Sequence, residues 1–239
     1  MKKLFLSFLL FVTAVGAVMA QKTYDGANAE KRTVGSFHGI SVATGIELVL
    51  TEGNTEEVAV AANTTEFRDK IVTKVENGIL KIYYENKLSS MNTRKERKDL
   101  KAWVSYKKLD QLEANTGAQV KIEGTLKANS LKIKANTGAQ ITGAIITDDL
   151  KVDQNTGSII TLTGDASKLD VEGDTGSIFK GIDLKTNTCS AKVSTGAGVS
   201  VTAQKELYVK ANTGGYVKYK GDASIREITK HTGGSVSKI

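Results

Sequence analysis

The chain has 239 residues, a formal net charge of +7, one cysteine and no proline. A single cysteine excludes an intrachain disulfide, so an exported chain of this kind depends on its core and its hydrogen bonds. Proline cannot donate to a β ladder, and its absence therefore suits a chain built mostly of paired strands. The length fits one elongated β domain or two smaller ones.

The N-terminus has the pattern of a targeting segment. Lys2 and Lys3 precede an uncharged apolar run that ends at Val18, and small side chains lead to a cut after Ala20. This pattern predicts a secretory signal peptide over residues 1–20. An uncleaved membrane anchor is the alternative, but the run is short for a span of about 20 residues. We therefore expect export, with a final location that is periplasmic, outer-membrane-associated or extracellular.

A linker over residues 21–33 and an N-terminal β region over 34–109 are predicted next. Alternating apolar residues mark the strands of this region, and Asn77-Gly78 has the residues of a two-residue hairpin turn. Residues 64–70 favour one short helical turn. Because an open sheet edge pairs with other chains, a stack of strands needs a covered first layer. We expect this region to cap the repeats that follow it or to continue them.

A basic stretch lies late in this region. Residues 87–101 carry six Lys or Arg residues against Glu96 and Asp99. A solvated loop explains that composition, and contact with acidic glycans, lipid headgroups or nucleic acid is the alternative. Aromatic residues that stack on bases are sparse, so nucleic acid is the weakest of these three candidates and is not predicted as a partner.

Thr-Gly recurs at a nearly fixed spacing through residues 110–239. Successive copies are 21, 19, 19, 20, 18 and 19 residues apart, which indicates a repeat architecture. About 19 residues is too short for a repeat of two helices, and the leucine-rich repeat pattern is absent. The period predicts an all-β fold, a parallel β-solenoid of the right-handed β-helix kind. The glycines of the seven copies are Gly117, Gly138, Gly157, Gly176, Gly196, Gly214 and Gly233.

Counting from each of these glycines sorts the neighbouring residues into columns. Positions five and seven before the glycine, and one and three after it, are mostly small or apolar, whereas positions four before and four after are mostly polar. This alternation predicts half-buried strands, and coils stacked at ~4.8 Å make a rod roughly 30 Å long. The outward columns and their neighbours hold Lys121, Lys134, Lys151, Lys180, Lys192, Lys210, Lys218, Asp153, Asp170 and Glu172.

The Asn-Thr-Gly motif marks the place where each coil bends or bulges. Glycine accepts positive φ at little cost, and asparagine bonds readily to the backbone in turns. Stacked copies would place Asn115, Asn136 and Asn155 above one another, with their amides in register for hydrogen bonds along the stack. The motif is interpreted as structural, and whether it is a corner or a bulge stays open. Further bends are expected at Gly124, Gly143, Gly164, Gly181 and Gly221.

Three segments carry a resemblance to a known family. In order after the signal peptide they are FHGISVATGIELVLTEG, KVENGILKIYY and LDQLEANTGAQVKIEG. This arrangement resembles the head GIN domain family, whose members are described as putative autotransporter adhesins and are common in Bacteroidetes. The resemblance covers roughly residues 34–220. It implies an all-β fold with parallel solenoid character, an exported location and no established enzyme activity.

Few residues have a pattern typical of catalysis or metal binding. Cys189 falls in a column of leucines and is expected to be a buried apolar side chain rather than a nucleophile. His38 and His231 are far apart in sequence, and no Cys or His pair has zinc spacing. The acidic residues at 148–149 and at 165 are expected in connections between strands, where they cap turns. We therefore predict no catalytic residue, no cofactor and no metal.

The functional prediction is an exported, non-enzymatic adhesin or scaffold of the cell envelope. The alternative is a glycan-binding or polysaccharide-cleaving envelope protein, because β-helices carry such sites on their outer faces. A shallow groove with clustered carboxylates and a lysine would favour the enzyme, and a featureless rod would favour the adhesin. An ice-binding threonine surface is disfavoured because each threonine is followed by glycine.

The expected partners are surface glycans or envelope proteins, with peripheral association at the envelope. The chain ends at Ile239 just after HTGGSVSKI, without an obvious polar cap. We therefore expect this last coil to pair with another subunit or to be covered by the N-terminal part of its own chain.

Overall fold

The computed structural model of the chain describes residues 28–85 and 97–239. The predicted signal peptide, linker residues 21–27 and residues 87–96 of the basic stretch lie outside the described residues. The elements that the structure describes are, in chain order, β1 (Glu30–Arg32), β2 (Gly39–Val42), β3 (Glu47–Glu52), β4 (Glu57–Ala61), α1 (Thr65–Asp69), β5 (Ile71–Glu76), β6 (Ile79–Tyr84), β7 (Lys101–Tyr106), β8 (Gln111–Ala114), β9 (Gln119–Ala135), β10 (Gln140–Gln154), β11 (Ile159–Gly173), β12 (Ile178–Val193), β13 (Gly198–Ala211), β14 (Tyr216–Lys220), β15 (Ser224–Lys230) and β16 (Ser235–Lys238).

The repeats form a parallel β-solenoid, as predicted. It has about seven turns of about 19 residues each. Strands β9 to β13 pair in parallel with the next strand along the chain, so that equivalent residues of successive repeats lie side by side. Val152, for example, pairs with Ile133 on one side and with Val171 on the other. Each repeat in the sequence thus forms one coil of the stack.

Each Asn-Thr-Gly motif makes a tight turn between two strands. The amide of Ala118 donates to the carbonyl of Asn115 over 3.1 Å, and φ is positive at both Thr116 and Gly117. The amide of Gly117 instead points along the stack and donates to the carbonyl of Thr137 over 2.9 Å. The strands end before the motif and begin after it. The motif is therefore a corner, and its geometry links each turn to the next.

Thr44-Gly45 makes the same turn in the N-terminal region. Both residues have positive φ, and the amide of Gly45 donates to the carbonyl of Thr116 over 3.0 Å. Strands β2 and β3 flank this turn and pair in parallel with β8 and β9. On their other side they pair in parallel with β6 and β7. The N-terminal region therefore continues the stack, and the chain returns to add β6 and β7 outside β2 and β3.

Antiparallel strands cap this end of the stack. Strand β5 pairs antiparallel with β6 through the turn at Asn77-Gly78, which confirms the predicted hairpin. Strand β4 pairs antiparallel with β7, and β1 covers β4. Helix α1 joins β4 to β5, and the hydroxyl of its N-cap Thr64 accepts from the amide of Phe67. The region thus both continues the solenoid and caps it.

The predicted inward columns form the core. Leu112, Ile133, Val152, Val171, Ala191 and Val209 are all buried, and Cys189 lies buried between Leu169 and Leu207. The position three residues before the Thr-Gly glycine is also buried in every repeat except the last. It holds the polar side chain of Gln154, which is 3% exposed. The core is therefore mostly apolar, and Gln154 adds a buried amide to it.

The bends between the corners lie inside long strands. Residues 148–149 and 165 belong to β10 and β11, so the prediction that they lie in connections between strands is wrong. The chain bends there while it keeps its ladder of hydrogen bonds to the neighbouring coil. Register shifts near Gly143, Gly164 and Gly181 mark such bends.

Strands β15 and β16 form the last coil, residues 224–239, which we call the terminal coil. They pair on one side, with β13 and β14. Ile228 continues the column of Val209 but is 36% exposed, whereas Val209 is 1% exposed. The described N-terminal strands lie at the opposite end of the sheet. They do not cover the terminal coil, contrary to one of the two arrangements expected from the sequence.

Candidate functional site

Residues of five successive coils, most of them outward-facing, line a shallow groove beside the Thr-Gly corners. Its volume is about 600 Å³. The predicted outward column four residues before each glycine supplies much of this lining, and the column of the turn asparagines supplies most of the rest. We call this surface the candidate groove. It is lined by Asn136, Lys151, Asp153, Gln154, Asn155, Glu172, Gly173, Asp174, Lys192, Val193, Ser194, Lys210 and Asn212.

The parallel register brings these side chains together. Asp153 pairs with Glu172, Glu172 with Lys192, and Lys192 with Lys210. Because adjacent strands lie about 4.8 Å apart, the four side chains stand in a row along the stack. Residues about 19 apart in sequence are thus neighbours in the groove. In the sequence, only the repeat period indicates that they are close in space.

Glu172 and Lys192 form the central ion pair of the groove. The Lys192 ammonium donates to Glu172 Oε1 over 2.8 Å. This hydrogen bond lowers the pKa of Glu172 and raises the pKa of Lys192. Both groups therefore remain charged through the neutral pH range. Because both side chains are about half exposed, the ion pair contributes little to the stability of the fold.

Asp174 stands directly before Thr175-Gly176, at the position that asparagine occupies in the earlier repeats. Hydrogen bonds from the hydroxyls of Thr195 and Ser194, and from the amide of Thr175, lower the pKa of this carboxyl. The Ser194 hydroxyl donates to Asp174 Oδ1 over 2.9 Å, and the Thr175 amide donates over 2.7 Å. The carboxylate is held in place by its own turn and by the next one.

The candidate groove carries balanced charge. Three lysines, Lys151, Lys192 and Lys210, face three carboxylates, Asp153, Glu172 and Asp174. Clustered carboxylates beside a lysine are the feature expected of a polysaccharide-cleaving enzyme. A general acid, however, needs a raised pKa at neutral pH, and the pKa values of Glu172 and Asp174 are lowered. The two carboxylates are suited to accept hydrogen bonds.

The asparagine column forms a ladder only in part. Asn136 Nδ2 donates to Asn115 Oδ1 over 3.2 Å, which confirms the expected bond between successive turns there. Asn155 Oδ1 instead accepts from the amide and the hydroxyl of Thr156. Asn212 Oδ1 is buried without a hydrogen-bond partner. The asparagine amides therefore do not form one continuous ladder along the stack.

Cys189 lies in the core, as its column predicted. Its side chain is fully buried, and burial raises the pKa of the thiol to about 12. A thiolate, which is the reactive form, is therefore strongly disfavoured. Cys189 contributes packing and has no access to the groove.

The two histidines lie apart from the groove. His38 Nδ1 is 2.8 Å from Asp110 Oδ1, at the surface of the capped end. His231 is in the corner of the terminal coil. Across residues 28–85 and 97–239, no group of three or more His, Cys, Asp or Glu residues is arranged to hold a metal ion. Over the same residues, the structure contains no helix with the length and apolarity of a membrane span.

The described end of the basic stretch is occupied by local contacts. Arg97 Nε lies 3.2 Å from Asp99 Oδ1. The Lys98 ammonium lies 4.2 Å from the centre of the Tyr84 ring, within the range of a cation–π contact. Lys98 is thus held against the capped end, at the opposite end of the sheet from the terminal coil.

Comparisons with solved structures show the same fold elsewhere. A putative adhesin from Bacteroides fragilis NCTC 9343 matches with a TM-score of 0.75 at 16% identity, over 88% of this chain and 95% of that chain. A putative adhesin from Parabacteroides merdae ATCC 43184 matches with a TM-score of 0.67 at 15% identity, over 89% of this chain and 95% of that chain. A putative lipid binding protein from Parabacteroides distasonis ATCC 8503 matches with a TM-score of 0.66 at 19% identity, over 89% of this chain and 97% of that chain. At these identities the likeness shows the fold.

No curated protein sequence matches the chain. The model of one protein family does match, over residues 36–223, and that family is described as putative auto-transporter adhesin, head GIN domain. The matched residues include the capped end from β2 onward, all of the candidate groove and the corners from Thr44-Gly45 to Thr213-Gly214. With most of its length matched, the chain belongs to the head GIN domain family.

Proposed function

We propose that this chain is an exported, non-enzymatic adhesin that binds a carbohydrate without net charge in the candidate groove. The observation that supports the proposal is the row of side chains from successive coils, with three cations and three anions in one polar groove. The predicted signal peptide and the adhesin description of the family support export to the cell envelope.

A carbohydrate fits the chemistry of the groove. Its hydroxyl groups donate to carboxylates such as Asp153 and accept from ammonium groups such as Lys210 and from amides such as Asn212. Because the charges of the groove balance, a polyanion would gain little from it electrostatically, and nucleic acid is disfavoured as a ligand. The polar lining equally disfavours the tails of lipids. The row runs along the stack, so the ligand is expected to be an extended chain of several sugar units.

Binding is favoured over cleavage by the state of the carboxylates. Glycoside hydrolysis generally needs one carboxyl group with a raised pKa that protonates the leaving oxygen. The pKa values of Glu172 and Asp174 are lowered by Lys192 and by hydroxyl and amide donors. Both groups are therefore poised as acceptors of hydrogen bonds from sugar hydroxyls.

A glycan array with residues 21–239 tests the proposal. We expect binding to neutral glycans, and loss of about tenfold or more in affinity for Glu172→Gln, because a bond to a charged group contributes about 1.5–3 kcal/mol. Glu123→Gln is the matched control, since Glu123 is also a half-exposed carboxylate paired with a lysine, at 3.3 Å from Lys121, outside the groove.

The outcomes separate the parts of the proposal. Absence of binding to any neutral glycan would overturn the assigned ligand class. Equal losses in Glu172→Gln and Glu123→Gln would remove the groove as the binding surface. Release of shorter sugars from a bound glycan, measured by mass spectrometry, would show that the protein is an enzyme.

A further inference from the structure

The two ends of the solenoid differ in the solvent exposure of their apolar side chains. At the capped end, Ile71 of β5 and Val58 of β4 are buried by the antiparallel strands. At the other end, Ile225, Ile228 and Ile239 are 50%, 36% and 62% exposed. These are three of the five large apolar or aromatic side chains that stand exposed in the described part of the chain. The end of the stack is thus an apolar surface with an open strand edge.

We propose that the terminal coil is an interface at which two copies of this chain associate tail to tail about a two-fold axis. Strands β15 and β16 each have one unpaired edge, whose amides and carbonyls can pair with the same edge of the second copy. A two-fold axis places each of these strands antiparallel to its mate and buries the three isoleucines of both copies. This inference goes beyond the proposed function and is independent of it.

Residues 86–96, and residues 21–27 once the predicted signal peptide has been removed, are too short to cover this end. Eight strand spacings separate the β6–β7 layer from the terminal coil, or about 38 Å at ~4.8 Å each. Residues 86–96 are anchored at both ends in the β6–β7 layer, and half their length spans at most about 19 Å. Asn28 lies at the capped end, where its Nδ2 donates to the Asn63 carbonyl, and the seven residues 21–27 before it have a maximum length of about 24 Å.

Electrostatics do not oppose the contact. Arg226 pairs with Glu206 at 3.0 Å, Lys210 with Glu227 at 3.6 Å, and Lys238 lies 4.0 Å from Asp222. Most charges at this end are thus neutralised within one chain before a second copy arrives. Sixteen residues, 224–239, face the mate, and stable interfaces use about 20–30 residues a side. We therefore expect a dissociation constant that is roughly micromolar.

Tail-to-tail pairing would give one particle two candidate grooves. The capped ends, which differ in structure from the terminal coils, would point outward, so that association stops at the dimer. Two grooves on one rigid rod raise the apparent affinity for a surface that presents many copies of a ligand, without any new contact in either groove.

Analytical ultracentrifugation of residues 21–239, over about three decades of concentration around the micromolar range, tests the interface. We expect a monomer–dimer equilibrium, and a dissociation constant at least about tenfold weaker for Ile225→Lys, which adds a charge within the interface. Ile146→Lys is the matched control, because Ile146 is 46% exposed in β10, in the middle of the rod. Far-UV circular dichroism establishes that both variants are folded.

Small-angle scattering of the dimer tests its arrangement. We expect a maximum dimension about twice that of the monomer, since the rods join end to end. A monomer at every concentration overturns the proposal. So does a dimer that Ile225→Lys leaves intact, a dimer that Ile146→Lys weakens equally, or a dimer whose maximum dimension matches two rods side by side.

Discussion

Gly164 lies directly against the backbone of Ile145 in the preceding coil: a β-carbon at Gly164 would come within 2.1 Å of the Ile145 carbonyl oxygen. The two residues pair in the β10–β11 ladder, and Gly164 has φ of 107°. Gly221 meets the carbonyl of Ala203 at the same distance in a later coil. Glycine is therefore required at these bends by the approach of two backbones, and not only by its own conformation.

Replacement of Gly164 by alanine is expected to destabilise the protein strongly. The backbone must move apart and the positive φ is unfavourable for alanine, so we expect a loss of at least about 3 kcal/mol in the free energy of unfolding. Gly157→Ala is the matched control, with φ of 67° and open space around its β-carbon, and should lose about 1–2 kcal/mol. Urea denaturation measures both. Equal losses would contradict the role of the Ile145 contact.

Replacement of Gln154 by methionine is expected to stabilise the protein. Both polar atoms of the Gln154 amide are buried without a hydrogen-bond partner, and the nitrogen lies in the space left by the absent side chain of Gly173. An unsatisfied buried group costs about 1–3 kcal/mol, which a methionine of similar length avoids. Thermal unfolding should show the increase, whereas Gln204→Met, on the exposed surface, should show none. A destabilised Gln154→Met would indicate that the amide has a partner, such as a buried water.

Replacement of Thr137 by asparagine is expected to stabilise its corner. Thr137 has φ of 53°, a conformation that is unfavourable for a β-branched residue and tolerated by asparagine. We expect a gain of about 0.5–1 kcal/mol in the free energy of unfolding. Thr142→Asn is the control, because Thr142 is exposed in strand β10, where asparagine is disfavoured. A loss in Thr137→Asn as large as in the control would show that the threonine hydroxyl matters to the turn.

Cys189 is expected to resist thiol reagents while the protein is folded. Its pKa of about 12 and its complete burial leave almost no accessible thiolate at pH 8. Labelling with an aromatic disulfide should therefore follow the unfolded fraction as urea is added. Ser167→Cys, exposed in β11, is the control and should react at once. Rapid labelling of Cys189 without urea would place it outside the core.

Much of the fold could be predicted because the repeat relates sequence to space directly. Once Thr-Gly was counted, the burial of Cys189 and the outward position of Lys192 followed from alternation alone. The corner at Thr44-Gly45 is not evident from the repeat period because residues 46–115 separate it from the next Thr-Gly, although its neighbour in space is Thr116. Local patterns cannot show that β6 and β7 return to the outside of β2 and β3.

The candidate groove could be predicted only as columns. Sequence counting placed Asp153, Glu172 and Lys192 outward, but the depth of the surface depends on how side chains of successive coils lean together. The direction of the pKa shifts depends on contacts such as the 2.8 Å bond between Lys192 and Glu172. The right-handed sense of the solenoid stays a prediction.

The insertion of β2 and β3 between two layers has a consequence for how the molecule can be built. Strands β1 to β8 are interdependent, since β6 pairs with β2 about 40 residues earlier and β7 pairs with β3 about 54 residues earlier. Every later coil needs only the coil before it. Strands β1 to β8 therefore form one unit to which coils are added in sequence. The number of later coils can change by whole repeats without altering that unit.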